Sequence, residues 1–104
     1  MKRGEVWWAH LPQPVGRRPV VLLSRDAAYS VRTAVTVAPV TRTVRRIPVE
    51  VPLDRRDGLP SRCIVNLDDV TTIPKSLIKN RIAVLSAEKM RLVDEAIRFA
   101  LDLP

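Results

Sequence analysis

Eight of the nine prolines fall within the first 74 residues, and with turn pairs such as Asp57-Gly58 they cut that part of the chain into short apolar runs. A proline inside a helix removes a hydrogen bond and clashes with the preceding turn, so no long helix fits there. Short runs rich in valine, isoleucine and threonine between such breaks read as strands. The pattern predicts strands over 5–11, 19–24, 34–40, 47–53, 62–67, 70–73 and 81–85, with single helical turns at 25–29 and just after Pro74. The period changes only beyond residue 85. Ser86 suits an N-cap and Glu88 sits in the first turn, where the helix dipole favours a carboxylate. A helix over 87–101 then places Met90, Val93, Ile97, Ala100 and Leu101 on one stripe, with Asp94 and Arg98 spaced to pair. Many short strands and one terminal helix predict a mainly β fold with a C-terminal α-helix, built as a small, partly closed antiparallel barrel. With 104 residues, the chain is expected to be a single domain over 1–104.

Several function classes are excluded early. The longest apolar runs, 19–23 and 34–40, are far short of the roughly 20 residues a membrane helix needs. The residues after Met1 run straight into a strand pattern with no apolar signal segment, which predicts a cytoplasmic protein. Cys63 is the only cysteine and His10 the only histidine. No intrachain disulfide, cysteine-based zinc site or histidine pair is therefore possible. Cys63 reads as core strand and His10 as a surface or hydrogen-bonded residue. Three glycines provide no phosphate-cradling loop, so neither a metal nor a nucleotide cofactor is expected.

Charge is one-sided. Residues 1–46 hold nine Lys/Arg against Glu5 and Asp26, which accounts for the formal net charge of +7, while the remainder balances. Cations clustered on one face favour nucleic acid through counterion release. Two compact motifs stand in this half, Gly16-Arg17-Arg18-Pro19 and Val37-Ala38-Pro39-Val40-Thr41. The proline after Arg18 keeps Arg18 extended at the mouth of the second strand. If the second and third strands pair antiparallel, Arg18 and Thr41 come together. A guanidinium gripping two phosphate oxygens beside a donating hydroxyl suits a scissile phosphodiester, whereas a surface arginine and a turn threonine are the alternative the spacing leaves open.

These segments, with Arg3-Gly4-Glu5-Val6-Trp7 before them and Asn66-Leu67-Asp68 and the terminal helix after them, resemble in order the MazF/PemK family of toxin endoribonucleases. The resemblance implies an SH3-like barrel that forms a homodimer and cleaves single-stranded RNA without ribosomes or metal, leaving 2′,3′-cyclic phosphate and 5′-hydroxyl ends. It also implies silencing by a cognate antitoxin with an acidic, partly disordered segment. By that resemblance Arg18 and Thr41 are catalytic, and Arg17, Arg42, Arg45, Arg46, Asn66 and Asp68 meet the RNA. Trp7 and Trp8 alternate in direction, which sends one to the core and leaves the other for RNA or a dimer interface. One departure stands out. Many members carry extra residues, including a glutamate cast as general base, between the glycine matching Gly16 and the arginine. Here Gly16 is followed at once by Arg17, so Arg18, Asp68 or water would take that role. Two other classes remain open: a gyrase poison sharing this fold, whose terminal helix ends differently from Leu101-Asp102-Leu103-Pro104, and a basic module that binds nucleic acid without cutting it.

Overall fold

The computed structural model describes residues 1–104 and contains seven strands. They are β1 (Glu5–His10), β2 (Arg17–Leu22), β3 (Ala34–Thr41), β4 (Glu50–Leu53), β5 (Cys63–Asn66), β6 (Thr71–Pro74) and β7 (Ile78–Val84). A four-residue helix, α1 (Ala28–Val31), precedes β3, and α2 (Ala87–Ala100) follows β7. Every strand pair is antiparallel, in the order β4-β5-β3-β2-β1-β7, with β6 beside the first half of β3. Hydrogen bonds do not join β4 to β7, so the curved sheet is a partly closed barrel. Packing brings its ends together: at Gly58, just after β4, an added Cβ would lie 2.8 Å from the Cβ of Ala83 in β7.

Alternation along the strands builds two cores, one on each face of the sheet. Val6, Val21, Ala38, Val40 and Val65 point to the side that α2 covers with Val93 and Ala96. Ala9, Val20, Leu22, Val35 and Val37 point the other way and pack with Tyr29, Ile73 and Ile78. Large apolar side chains buried this fully contribute roughly 1.5–3 kcal/mol each. Trp7 rests against the second core and donates its indole N–H to Glu5 at 3.0 Å. Glu5 is only 7% exposed. It also accepts from the Lys2 amide and pairs with Arg81. No helix is long and apolar enough to cross a membrane.

Several boundaries differ from the sequence pattern for identifiable reasons. The first helical turn lies at Ala28–Val31 rather than 25–29, and β4 begins at Glu50 because Pro48 and Val49 form a turn closed by the Glu50 amide on the Ile47 carbonyl. β7 starts at Ile78, three residues earlier than the pattern predicts. After buried Ile78, Lys79, Asn80 and Arg81 are exposed on an edge strand, where no apolar alternation is required, and Asn80 takes a φ of 63° where the register with β1 shifts. The Ser86 hydroxyl caps α2 by accepting from the Lys89 amide, as its position suggests. Two details of the helix differ. Leu101 lies past its end, 58% exposed, and Asp94 pairs with Arg3 instead of Arg98.

Candidate RNA-cleavage site

The loop between β1 and β2 is short, and Gly16 makes it possible: at φ 69° its carbonyl accepts from the Leu11 amide and closes the turn. Arg17 and Arg18 therefore fall inside β2, opposite His10 and Ala9. The β2–β3 register pairs Val20 with Pro39. Carried on by two residues, that register sets Arg18 across from Thr41, which itself pairs with Ile64 of β5. Residues opposite each other in an antiparallel pair share a face, so the two side chains rise from the same side of the sheet. Ala9, fully buried, and Ile64, 2% exposed, flank the row and hold its backbone.

Both functional groups are available to a ligand. Arg18 is half-buried as a residue, and its guanidinium makes no hydrogen bond or ion pair within the chain. Thr41 accepts from the Thr43 amide at 3.2 Å, an engagement that uses an oxygen lone pair and leaves the hydroxyl proton free to donate. A guanidinium and a free O–H donor on one face of neighbouring strands are groups that can bind an anion such as a phosphate.

Further cations lie in the neighbouring segments, Arg17 on the face of β2 opposite Arg18. Arg17 lays its guanidinium on the Trp8 ring, 3.9 Å from the centroid. Arg42, Arg45 and Arg46 lie exposed in the loop after β3, and none of their side chains is ion-paired. That loop is shaped by Glu50, whose Oε1 accepts from the Arg45 and Arg46 amides at 2.9 and 3.0 Å. His10 is exposed.

Asn66 and Asp68 lie outside this row. Asn66 is two residues beyond Ile64, about 7 Å along the strand, and it is 7% exposed. Its amide is committed on both sides, accepting from the Asp68 N–H and donating to Asp69, so it caps the following 3₁₀ turn. Asp68 lies exposed in that turn, whose neighbours include α2. No carboxylate bonds to Arg18 or Thr41.

One feature of the site was not visible in the residue pattern. Behind Thr41 opens a slot of about 200 Å³ walled by Trp8, Pro19, Val40, Leu59, Pro60 and Cys63. Residues 54–61 read in sequence as turn chemistry only. Their apolar members Leu59 and Pro60 were the available signal, but the fold alone brings them beside Trp8. Cys63 is buried, and burial foremost pushes its thiol pKa up, which keeps it protonated.

Comparison with known proteins bears on this site. Residues 2–101 match the family model for the PemK-like, MazF-like toxin of type II toxin-antitoxin systems. A Mycobacterium tuberculosis (strain H37Rv) protein named "Probable endoribonuclease MazF5" is 43% identical over 101 residues, covering 96% of this chain and 92% of that protein. Among solved structures, the Mycobacterium tuberculosis toxin MazF-mt6 superposes with a TM-score of 0.89 at 37% identity, covering 96% of this chain and 98% of that one. An endoribonuclease in complex with its cognate antitoxin, from a mycobacterial species, superposes with a TM-score of 0.88 at 26% identity, covering 100% of this chain and 97% of that one.

Proposed function

The chain belongs to the PemK-like, MazF-like toxin family of type II toxin-antitoxin systems, and we propose that it is an endoribonuclease toxin that cleaves single-stranded RNA at specific sequences. What supports this reading is the β2–β3 register, which carried on by two residues sets Arg18, free of any internal ion pair, opposite Thr41. The endoribonuclease names of its relatives support it further and weigh against a gyrase poison or a module that binds without cutting.

The reaction that fits these groups is internal transesterification. The RNA 2′-oxygen attacks the adjacent phosphorus, the bond to the 5′-oxygen breaks, and the ends are a 2′,3′-cyclic phosphate and a 5′-hydroxyl. Arg18 grips the non-bridging oxygens and Thr41 donates to the same developing charge, so both interactions strengthen in the phosphorane. A guanidinium is a poor base. With Asp68 outside the row and no glutamate in the short loop, water accepts the 2′-hydroxyl proton and returns one to the 5′-oxygen. Neither a metal nor a ribosome enters this scheme.

Arg17, Arg42, Arg45 and Arg46 hold the flanking backbone. The same cations suit an acidic, partly disordered antitoxin segment that orders as it binds and excludes RNA. Exposed Val84, Phe99 and Leu101, from 58% to 62% accessible, support burial against a second copy in a homodimer. The site of action is the cytoplasm, where transcripts are present. The reading is tested by incubating the protein with mixed transcripts and a chelator, without ribosomes. Defined fragments bearing cyclic phosphate and 5′-hydroxyl ends are expected; intact RNA contradicts it.

A further inference from the structure

The slot behind Thr41 is apolar, yet its mouth is cationic. Trp8, Pro19, Val40, Leu59, Pro60 and Cys63 supply flat or aliphatic walls, while Thr41 and Arg42 stand in its lining and Arg17 covers the Trp8 ring at 3.9 Å. Its volume, about 200 Å³, falls below the roughly 300–1,000 Å³ typical for whole drug-sized ligands. That size suits a single planar group rather than a complete nucleotide. The phosphate attached to such a group would be left outside, against cations.

Thr41 belongs to both the slot and the row with Arg18. By alternation Trp8, Pro19 and Val40 wall the slot on the α2 side of the sheet while Arg18 and Thr41 rise from the other side, and the two meet at the end of β3, where Thr41 and Arg42 line the slot. A chain whose phosphate sits on Arg18 and Thr41 brings its neighbouring base to the slot by turning over that end. From this continuity, and resting on the endoribonuclease reading above, we infer that the slot receives one nucleobase of the RNA adjacent to the cleaved phosphate, stacked on Trp8, and so fixes one position of the recognised sequence. Trp8 is the stacking platform. Arg17 holds that indole in place from β2, and the turn carrying Leu59, Pro60 and Ser61 closes the slot from the other side. Trp7 has no part in it, because Glu5 anchors its indole against the second core. The cations at the mouth favour a nucleotide over an uncharged apolar side chain from a protein partner.

The experiment begins by sequencing the 5′ ends of cleaved transcripts, which defines the recognised sequence. An RNA oligonucleotide of that sequence, with a 2′-deoxy sugar at the cleaved position, is then scanned with one abasic site at a time, and Kd is measured. Base-on-aromatic stacking predicts a loss of roughly 5- to 150-fold at one position beside the cleaved bond. In Trp8→Leu that penalty should shrink to within about two-fold while penalties elsewhere persist. Ser61→Tyr, which occludes the slot from its half-buried rim, should abolish the same penalty should Trp8→Leu fail to fold. An unchanged penalty in either folded variant overturns the inference while leaving the nuclease reading intact. Loss of antitoxin binding with unaltered RNA affinity also overturns it, and assigns the slot to a protein partner. Wild-type protein that neither binds nor cuts any RNA removes the nuclease reading and this inference together.

Discussion

Arg3 and Asp94 tie the two ends of the chain together: the Arg3 guanidinium donates to the Asp94 carboxylate at 2.6 Å and to the Leu23 carbonyl at 3.1 Å. The Arg3 amide is held in turn by Asp26 at 2.7 Å. The turn before β1, the end of β2 and α2 therefore share one small network. About a third of each side chain in the pair is accessible, which keeps its worth near that of a surface ion pair.

Asp94→Asn is expected to cost about 0.5–1 kcal/mol, a fall of a few degrees in Tm for a chain of this size. Thermal unfolding at low and at about 1 M salt checks it, since screening should shrink the difference.

Glu5 predicts a pH dependence. Burial pushes its carboxyl pKa up, but hydrogen bonds from the Trp7 indole, the Lys2 amide and Arg81 outweigh that, and the net position is below the ordinary carboxylate value. A carboxylate with a depressed folded-state pKa contributes stability above its unfolded value, near 4.3, and loses it as pH falls through the folded value. Glu5→Gln should therefore cost about 1–3 kcal/mol at pH 7. Urea unfolding from pH 7 down to pH 3 should show the difference from wild type narrowing in acid.

Gly58 sits at φ 93° with Ala83 directly opposite. Gly58→Ala incurs both a left-handed backbone cost and a clash, together about 2–3 kcal/mol. Because part of that is contact with Ala83, the double variant with Ala83→Gly should cost less than the sum of the single changes. Denaturant midpoints of the four proteins measure the coupling.

Arg42 and Arg45 carry no internal ion pair, so their proposed role is electrostatic attraction of the RNA backbone. Replacing either by alanine should weaken binding of 2′-deoxy-blocked RNA and reduce the slope of log K against log salt by about 0.7 for each phosphate that is no longer neutralised. Titrations at several salt concentrations give that slope.

Much of the fold could be read from local pattern, because proline breaks and β-branched runs act within a few residues. The seven strands and the Ser86 cap follow from it. What escaped depends on distant partners. Asp94 has a suitable cation one helical turn away in Arg98, yet Arg3 takes it, because the fold brings a residue from the chain start closer. The start of β7 pairs with β1 through buried Ile78, but Lys79, Asn80 and Arg81 that follow are polar and exposed where the register shifts, so no alternation marks it. The apposition of Arg18 and Thr41 could be read because Pro19 fixes an extended backbone and the strands pair simply. Family resemblance alone assigns Asn66 to the RNA; in the fold its amide bonds Asp68 and Asp69, partners that the residue pattern does not reveal. Leu59 and Pro60 were invisible as site residues, since nothing near them in sequence indicates that they face Trp8.

If Arg18 and Thr41 act on one phosphate, their contributions to the rate must be coupled. Single-turnover cleavage of the recognised RNA by wild type, Arg18→Ala, Thr41→Ala and the double variant measures that coupling. Each single change should slow cleavage by roughly 10² to 10³, and the double change should fall short of the product of the two, because the groups stabilise a shared charge. Cleavage at the wild-type rate by either single variant would mean that the chemistry does not take place at this row.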